Sequence, residues 1–309
     1  MDIAPYAPRR AARSVHLDLR GLRHHTWQWG DASLVAPGRP PLVLMHGWMD
    51  VGASFQFVVD ELARREGERR FVVAADWRGY GGSSGGGADS FWFLDYLGDL
   101  DALLDVIAPG QPVDLVGHSM GGNVVMSYAG VRPQRVRRLA NLEGFGMPAT
   151  RPEQAPERVA QWLDELKTPM ALRPYDSLAA VADRLRKNNP RLHADRADWL
   201  AAHWSEQRAD GRWHILGDPA HKRVNPVLYR VEEVLASWRR IAAPVLWVEG
   251  RQTDVAKFWG KRYPREEFLE RLAQVPDVTQ AMLEDCGHML HHDQPEALAQ
   301  ALLGFLDRD

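Results

Sequence analysis

Val113-Asp114-Leu115-Val116-Gly117-His118-Ser119-Met120-Gly121-Gly122-Asn123-Val124-Val125 places a strand, a tight glycine-flanked turn and a helix in immediate succession. Val113–Val116 has the length and β-branched content of a buried strand, and Gly122 to Gly130 continues with helical spacing. Between them, Gly117-His118-Ser119-Met120-Gly121 must turn strand into helix within a few residues, which holds the serine in a strained backbone conformation. Neighbouring segments then lie too close for a side chain at either flanking position, and glycine is needed at both. A helix starting at the serine also directs free backbone N–H groups at any oxyanion formed beside it. Chance supplies roughly 0.08 Gly-x-Ser-x-Gly matches in a chain of this composition, so the placement after a strand and before a helix carries more weight than the pattern alone.

Working outward, apolar runs recur at Leu42–Met45, Phe71–Ala75, Val136–Leu142 and Val245–Val248, with helical spacing between most of them. Strands alternating with helices predict a mostly parallel sheet covered on both faces. Val15–Leu19 and Thr26–Trp29 predict antiparallel strands at its start; Ala281–Leu283 predicts a last strand, followed by a helix over Pro295–Leu306. The alternation breaks after Leu142 for about a hundred residues, which predicts an inserted domain. The expected division is a core of residues 1–146 and 244–309 with a helical cap of residues 147–243. Val159, Trp162, Leu163 and Leu166 fall at i, i+3, i+4 and i+7, and Leu200 and Trp204 are four apart, so the insert reads as helical. Its tryptophans fit the packing of a small helical layer; an aromatic-lined pocket including Trp162 and Trp204 is the alternative.

The 309 residues allow one large domain or a domain with a sizeable insertion. With 38 Lys and Arg against 41 Asp and Glu, the net charge of −3 offers no basic field for nucleic acid or an anionic membrane, and a small molecule is the expected partner. Cys286, the one cysteine, excludes an intrachain disulfide and a cysteine-based metal cluster, which suits a reducing, cytoplasmic setting. Arg9, Arg10 and Arg13 are followed by no apolar run, so the N-terminus does not read as a secretory signal, and no stretch has the length of a membrane span. Oligomeric state is open between monomer and homodimer.

Gly287-His288 lies between the last expected strand and the C-terminal helix, on the same sheet edge as Ser119, where an imidazole can accept and return a proton near neutrality. His291 and His292 follow at i+3 and i+4, a spacing compatible with a metal. No His-Glu-x-x-His helix accompanies them, so no metal or organic cofactor is expected and both read as surface residues or as supports beside the site. His46-Gly47-Trp48 ends the strand Leu42–Met45, where the Trp48 N–H would join that of Met120 as an oxyanion donor. Asp76-Trp77-Arg78-Gly79-Tyr80-Gly81-Gly82-Ser83 lacks the features of a phosphate loop and reads as a structural turn. His46, His118 and Phe145 are candidate pocket residues.

In these motifs the chain resembles the α/β-hydrolase superfamily, and within it the branch of serine hydrolase-like proteins. The resemblance rests on His46-Gly47-Trp48-Met49-Asp50 with Ala53-Ser54-Phe55, on Asp76-Trp77-Arg78-Gly79-Tyr80-Gly81, on Gly117 to Gly122, on Leu142-Glu143-Gly144-Phe145-Gly146 and on Gly287-His288. It implies an eight-stranded core sheet, a helical cap after the sixth strand and a Ser, acid, His triad in that order. Epoxide hydrolases and haloalkane dehalogenases carry an aspartate at the elbow, and Ser119 argues against both. The resemblance puts the acid most often after the seventh strand, which points to Asp254, although Thr253 stands at the usual position. Glu143, ending the sixth strand, is the alternative; Asp254 is the favoured choice.

The expected chemistry is acyl transfer to water, with Ser119 attacking a carbonyl and His288 taking its proton. A small carboxylic ester is the first expectation. An amide, a lactone or a carbon–carbon bond beside a carbonyl would suit similar residues, and a hydrolase-fold ligand-binding protein without turnover is the reading from another class.

Overall fold

The computed structural model describes residues 4–308. In chain order the elements are β1 (Arg13–Leu19), β2 (Leu22–Trp29), β3 (Leu42–Met45), α1 (Gln56–Glu66), β4 (Val72–Ala75), α2 (Phe93–Ile107), β5 (Val113–His118), α3 (Met120–Val131), β6 (Val136–Leu142), α4 (Ala155–Leu166), α5 (Leu178–Asn188), α6 (Ala194–Trp204), β7 (Ser205–Gln207), β8 (Trp213–Ile215), α7 (Val231–Trp238), β9 (Val245–Gly250), α8 (Ala256–Trp259), α9 (Arg265–Leu272), β10 (Val278–Leu283), α10 (Leu290–Asp293) and α11 (Pro295–Leu306). Eight strands form one sheet in the order β1-β2-β4-β3-β5-β6-β9-β10. β2 is antiparallel to both of its neighbours, and every other adjacent pair is parallel. No helix among the described residues is long and apolar enough to cross a membrane.

The central strands are buried throughout because both faces are covered, and side chains still alternate between the two sides. Val43 and Met45 of β3, Leu115 of β5 and Trp247 of β9 enter one core cluster with Leu100 and Leu103 of α2 and Val124 of α3. Leu42, Leu44, Val116, Leu246 and Val248 enter the other, with Val58 and Leu62 of α1 and Leu298, Leu302 and Phe305 of α11. The parallel strands therefore carry their C-terminal ends to a single edge, the usual place for a site in a sheet of this kind.

The insert departs from the expectation in two ways. It is not wholly helical, since β7 and β8 pair as an antiparallel ribbon. Nor does packing change at residue 243: Trp238 at the end of α7 lies in the main core cluster, and a Cβ on Gly130 of α3 would run into the backbone of Ser237, so α7 belongs physically to the helical layer on the sheet. The remainder has a core of its own, in which Val181, Leu185, Leu200, Trp204 and Ile215 close over Val51, Ala53 and Phe57. α4 forms where the spacing places it, yet none of its residues is buried, and Val159 and Leu163 face solvent.

Trp204, a candidate pocket residue, is 8% exposed and serves this small core. Removing so large a buried ring costs both its transfer free energy and an incompletely closed cavity. Trp204→Ala is accordingly expected to destabilise the protein by about 3 kcal/mol, read in chemical denaturation, with rate ratios between substrates unchanged; a change in those ratios at wild-type stability would return Trp204 to the pocket.

Candidate active site

Ser119 sits between β5 and α3 at φ 52° and ψ −115°. This is a strained conformation for a residue with a side chain, and it is kept by its surroundings. A Cβ on Gly117 would strike the carbonyl oxygen of Gly121, and one on Gly121 the carbonyl oxygen of Met45; both flanking glycines are thus steric requirements. The Ser119 N–H donates to the Leu142 carbonyl at 2.8 Å, which ties the turn to the end of β6. Two further non-glycine residues with positive φ, Met49 at 56° and Glu143 at 55°, follow β3 and β6 at the same sheet edge, as strained residues do at functional sites.

His288, on the loop after β10, spans Ser119 and Glu143. Its Nε2 lies 3.0 Å from Ser119 Oγ and its Nδ1 lies 2.6 Å from Glu143 Oε2. Glu143 is buried, and its other oxygen accepts the Gly250 N–H at 2.7 Å and the Thr253 hydroxyl at 2.6 Å. Burial pushes the Glu143 carboxyl up, against those two hydrogen bonds, and pushes the His288 imidazole down. One proton lies in the short Nδ1–Oε2 contact; with it on Nδ1, which the two donors to Oε1 favour against the burial of the carboxylate, Nε2 is an acceptor facing Ser119. The His288 loop is fixed by His118, whose Nε2 is 2.7 Å from the His288 carbonyl oxygen, and by Asp293, which accepts the Gly287 N–H at 2.8 Å.

The expected acid is corrected by this geometry. Asp254 is exposed, and its carboxylate accepts the Ala256 N–H at 3.1 Å, starting α8; His288 reaches Glu143 instead. Thr253, which stands where the resemblance puts the acid, donates to the Glu143 carboxylate. Thr253 and Gly250 escaped the sequence reading, although a threonine at an acid position was the available signal.

Gly47 packs against the serine, since a Cβ there would lie 3.1 Å from Ser119 Cβ. That brings the Gly47–Trp48 backbone beside Ser119, opposite the start of α3, whose first residue Met120 has an N–H free of helical partners. The Trp48 ring is exposed and its Nε1 donates to the His221 carbonyl of the insert at 3.2 Å. Phe258 of α8, unsuspected from sequence, lies 4.8 Å from the His288 ring between centroids and is itself 45% exposed.

The other candidate pocket residues are engaged in contacts within the protein. His46 is fully buried, its Nε2 accepting the Trp77 N–H at 3.0 Å while its Nδ1 donates to the Gly47 carbonyl at 2.7 Å. His118 is buried and holds the His288 loop. Phe145 packs edge-on to Trp247 and Phe268 in the core. Trp162 donates to Ser90 Oγ at 2.9 Å and meets Trp92, pinning α4 to the core. The stretch from Asp76 is a turn, as expected, with the Asp76 carboxylate accepting the N–H groups of Gly52 at 2.6 Å and Gly82 at 2.9 Å. A cleft of about 740 Å³ between residues 79–85 and the insert, lined in part by Arg23, Glu206 and Asp218, contains none of Ser119, His288 and Glu143.

Comparison with known proteins agrees with this architecture. The family model for the alpha/beta hydrolase fold matches residues 40–295, and the chain belongs to that family. A serine hydrolase-like protein of Dictyostelium discoideum is 25% identical over 277 residues, covering 86% of this chain and 74% of the relative. An sn-1-specific diacylglycerol lipase of Danio rerio is 25% identical over 271 residues, covering 86% and 78%. Among solved structures, a thioesterase domain from the curacin biosynthetic pathway superposes with a TM-score of 0.79 at 25% identity, covering 95% of this chain and 99% of that one.

Proposed function

We propose that this chain is a serine hydrolase that cleaves a small carboxylic ester through an acyl-enzyme. The observation that carries the proposal is the continuous line from Ser119 Oγ through both ring nitrogens of His288 to Glu143 Oε2, at 3.0 and 2.6 Å. Ser119 attacks the ester carbonyl while His288 Nε2 takes its proton; the tetrahedral oxyanion is held by the N–H groups of Trp48 and Met120. The imidazolium then protonates the leaving alcohol, and a water activated by the same nitrogen releases the acid. Glu143 stays ionised and stabilises the transient imidazolium. The reaction as written draws on no cofactor, and the single buried cysteine suits a cytoplasmic protein.

The part of the insert outside α7 acts as a cap in this reading. Its His221 stacks on Tyr80 and Phe91 of the core at 3.8 Å between centroids and its carbonyl holds Trp48 beside the oxyanion site. Substrate choice falls to this segment and to Phe258.

A fluorophosphonate probe tests the proposal: one serine is labelled in the wild type and none in Ser119→Ala. Rapid labelling without turnover of any ester, thioester, lactone or amide in a broad panel would favour a ligand-binding role, and turnover of an amide or lactone alone would move the substrate class.

The pH profile provides a separate prediction. The base must be neutral, and burial places the His288 pKa below the ordinary 6.5. Activity is then present above that lowered pKa and lost as pH falls through it, so kcat/KM should hold well below pH 6 and be lost around a pKa of about 4. An acid limb centred at or above 6.5 would contradict the burial argument.

A further inference from the structure

His291 and His292 occupy α10, immediately behind the site, and the hydrolytic chemistry makes no use of them. Both are buried, at 0% and 3% exposure, and all four of their ring nitrogens lack a hydrogen-bonding partner among the described residues. Asp50, from the loop after β3, is buried beside them; its Oδ1 accepts the Ser54 hydroxyl, and its Oδ2 is likewise unpartnered. So many polar atoms without partners in one interior space are costly, because burial removes the water that would otherwise bond to them.

One ligand atom from each of Asp50, His291 and His292 lies within 4.8 Å of the others. His291 Nε2 is 3.4 Å from Asp50 Oδ2, yet both count as unpartnered, so the two are near without being aligned to bond. Tetrahedral coordination with bonds of about 2.0–2.1 Å separates neighbouring ligand atoms by about 3.3 Å, and the observed spacing is that of two ligands on one ion. Phe55 stacks on His291 at 5.0 Å and Phe57 meets His292 edge-on, which limits how far either ring can turn away. Arg196, whose Nη1 is 3.4 Å from the His292 carbonyl oxygen, adds nearby positive charge that opposes every dication alike, so selectivity rests on the donor set.

We propose that Asp50, His291 and His292 form a binding site for a divalent transition metal, zinc or cobalt in class, with water in the fourth position. Two imidazoles and one carboxylate suit such ions over magnesium or calcium, which prefer all-oxygen ligand sets. The site is inhibitory. His118 connects it to the chemistry, its ring lying 4.5 Å from that of His291 and 4.9 Å from that of His288. A dication behind His118 opposes the positive charge that His288 must carry during acylation, and through a partly screened interior this slows ester cleavage by about tenfold. Binding is independent of the hydrolase reading; only the inhibition rests on it.

The test uses full-length protein stripped with a chelator and titrated with cobalt(II). Expected are one equivalent bound, visible absorption of the intensity typical of four-coordinate cobalt, and a rise in Tm of roughly 5 °C at hundredfold excess over Kd. His292→Gln and, independently, Asp50→Asn should abolish all three while keeping the wild-type circular dichroism of the metal-free protein. Ester turnover should fall about tenfold on zinc loading in wild type, recover with chelator, and be insensitive to zinc in His292→Gln. Absence of stoichiometric binding, or equal binding by both variants, overturns the site and leaves ordered water as the partner of these groups. Stoichiometric binding with unchanged turnover overturns the inhibition alone, and a protein active on esters but indifferent to cobalt fails this inference without touching the hydrolase proposal.

Discussion

Ser119→Ala is expected to lower kcat for ester hydrolysis by about 10⁶-fold while leaving the fold intact. The oxyanion donors and the His288–Glu143 pair persist in the variant, but they act on a nucleophile that no longer exists, so only slow attack by water is left. The fold should survive because the Ser119 side chain has His288 Nε2 as its hydrogen-bonding partner, and the turn is held by backbone, through the Ser119 N–H on Leu142 at 2.8 Å and the close approach of the flanking glycines. Alanine enters the same φ of 52° under similar strain. The measurement is kcat with a chromogenic ester beside a thermal melt; turnover within tenfold of wild type would sink the mechanism.

Glu143→Gln is expected to cost on the order of 10⁴ in kcat, and Asp254→Asn no more than about threefold. In wild type Glu143 Oε1 is occupied by Gly250 and Thr253, so Oε2 is the atom that meets His288. A glutamine keeping its oxygen toward those two donors must present its amide NH₂ to Nδ1. That turns an acceptor into a donor, forces the ring proton onto Nε2 and points it at the serine, which removes the base. Asp254, exposed and engaged with the Ala256 N–H, should lose little more than the start of α8. A larger loss at Asp254 than at Glu143 would reverse the assignment.

The serine was legible in the sequence because the elbow is a local object. Strand, turn and helix are consecutive in the chain, and the glycine pattern records close approaches made by that same short segment. β3 and β6 were found at their observed ends, and the helix over Pro295–Leu306 likewise, since a buried strand and an amphipathic helix write their periodicity into neighbouring residues. The packing role of Trp204 was open, because a tryptophan reads alike on a pocket wall and in a small core. The apolar spacing of α4 predicted the helix, but spacing does not say that a surface exists to cover its face.

The strands in their order along the chain, and Ser119 and His288 as residues brought to one sheet edge, were thus legible from local pattern. That His288 meets Glu143 and not Asp254, the burial of His46 and His118, and the meeting of Asp50 with His291 and His292 emerge only in the tertiary structure. Each depends on distances between segments far apart in the chain, set by how β3, β6, β9 and β10 align at one sheet edge and how their loops leave it. A carboxylate reaches an imidazole or misses it by a few ångströms, and local sequence pattern carries no measure of that separation.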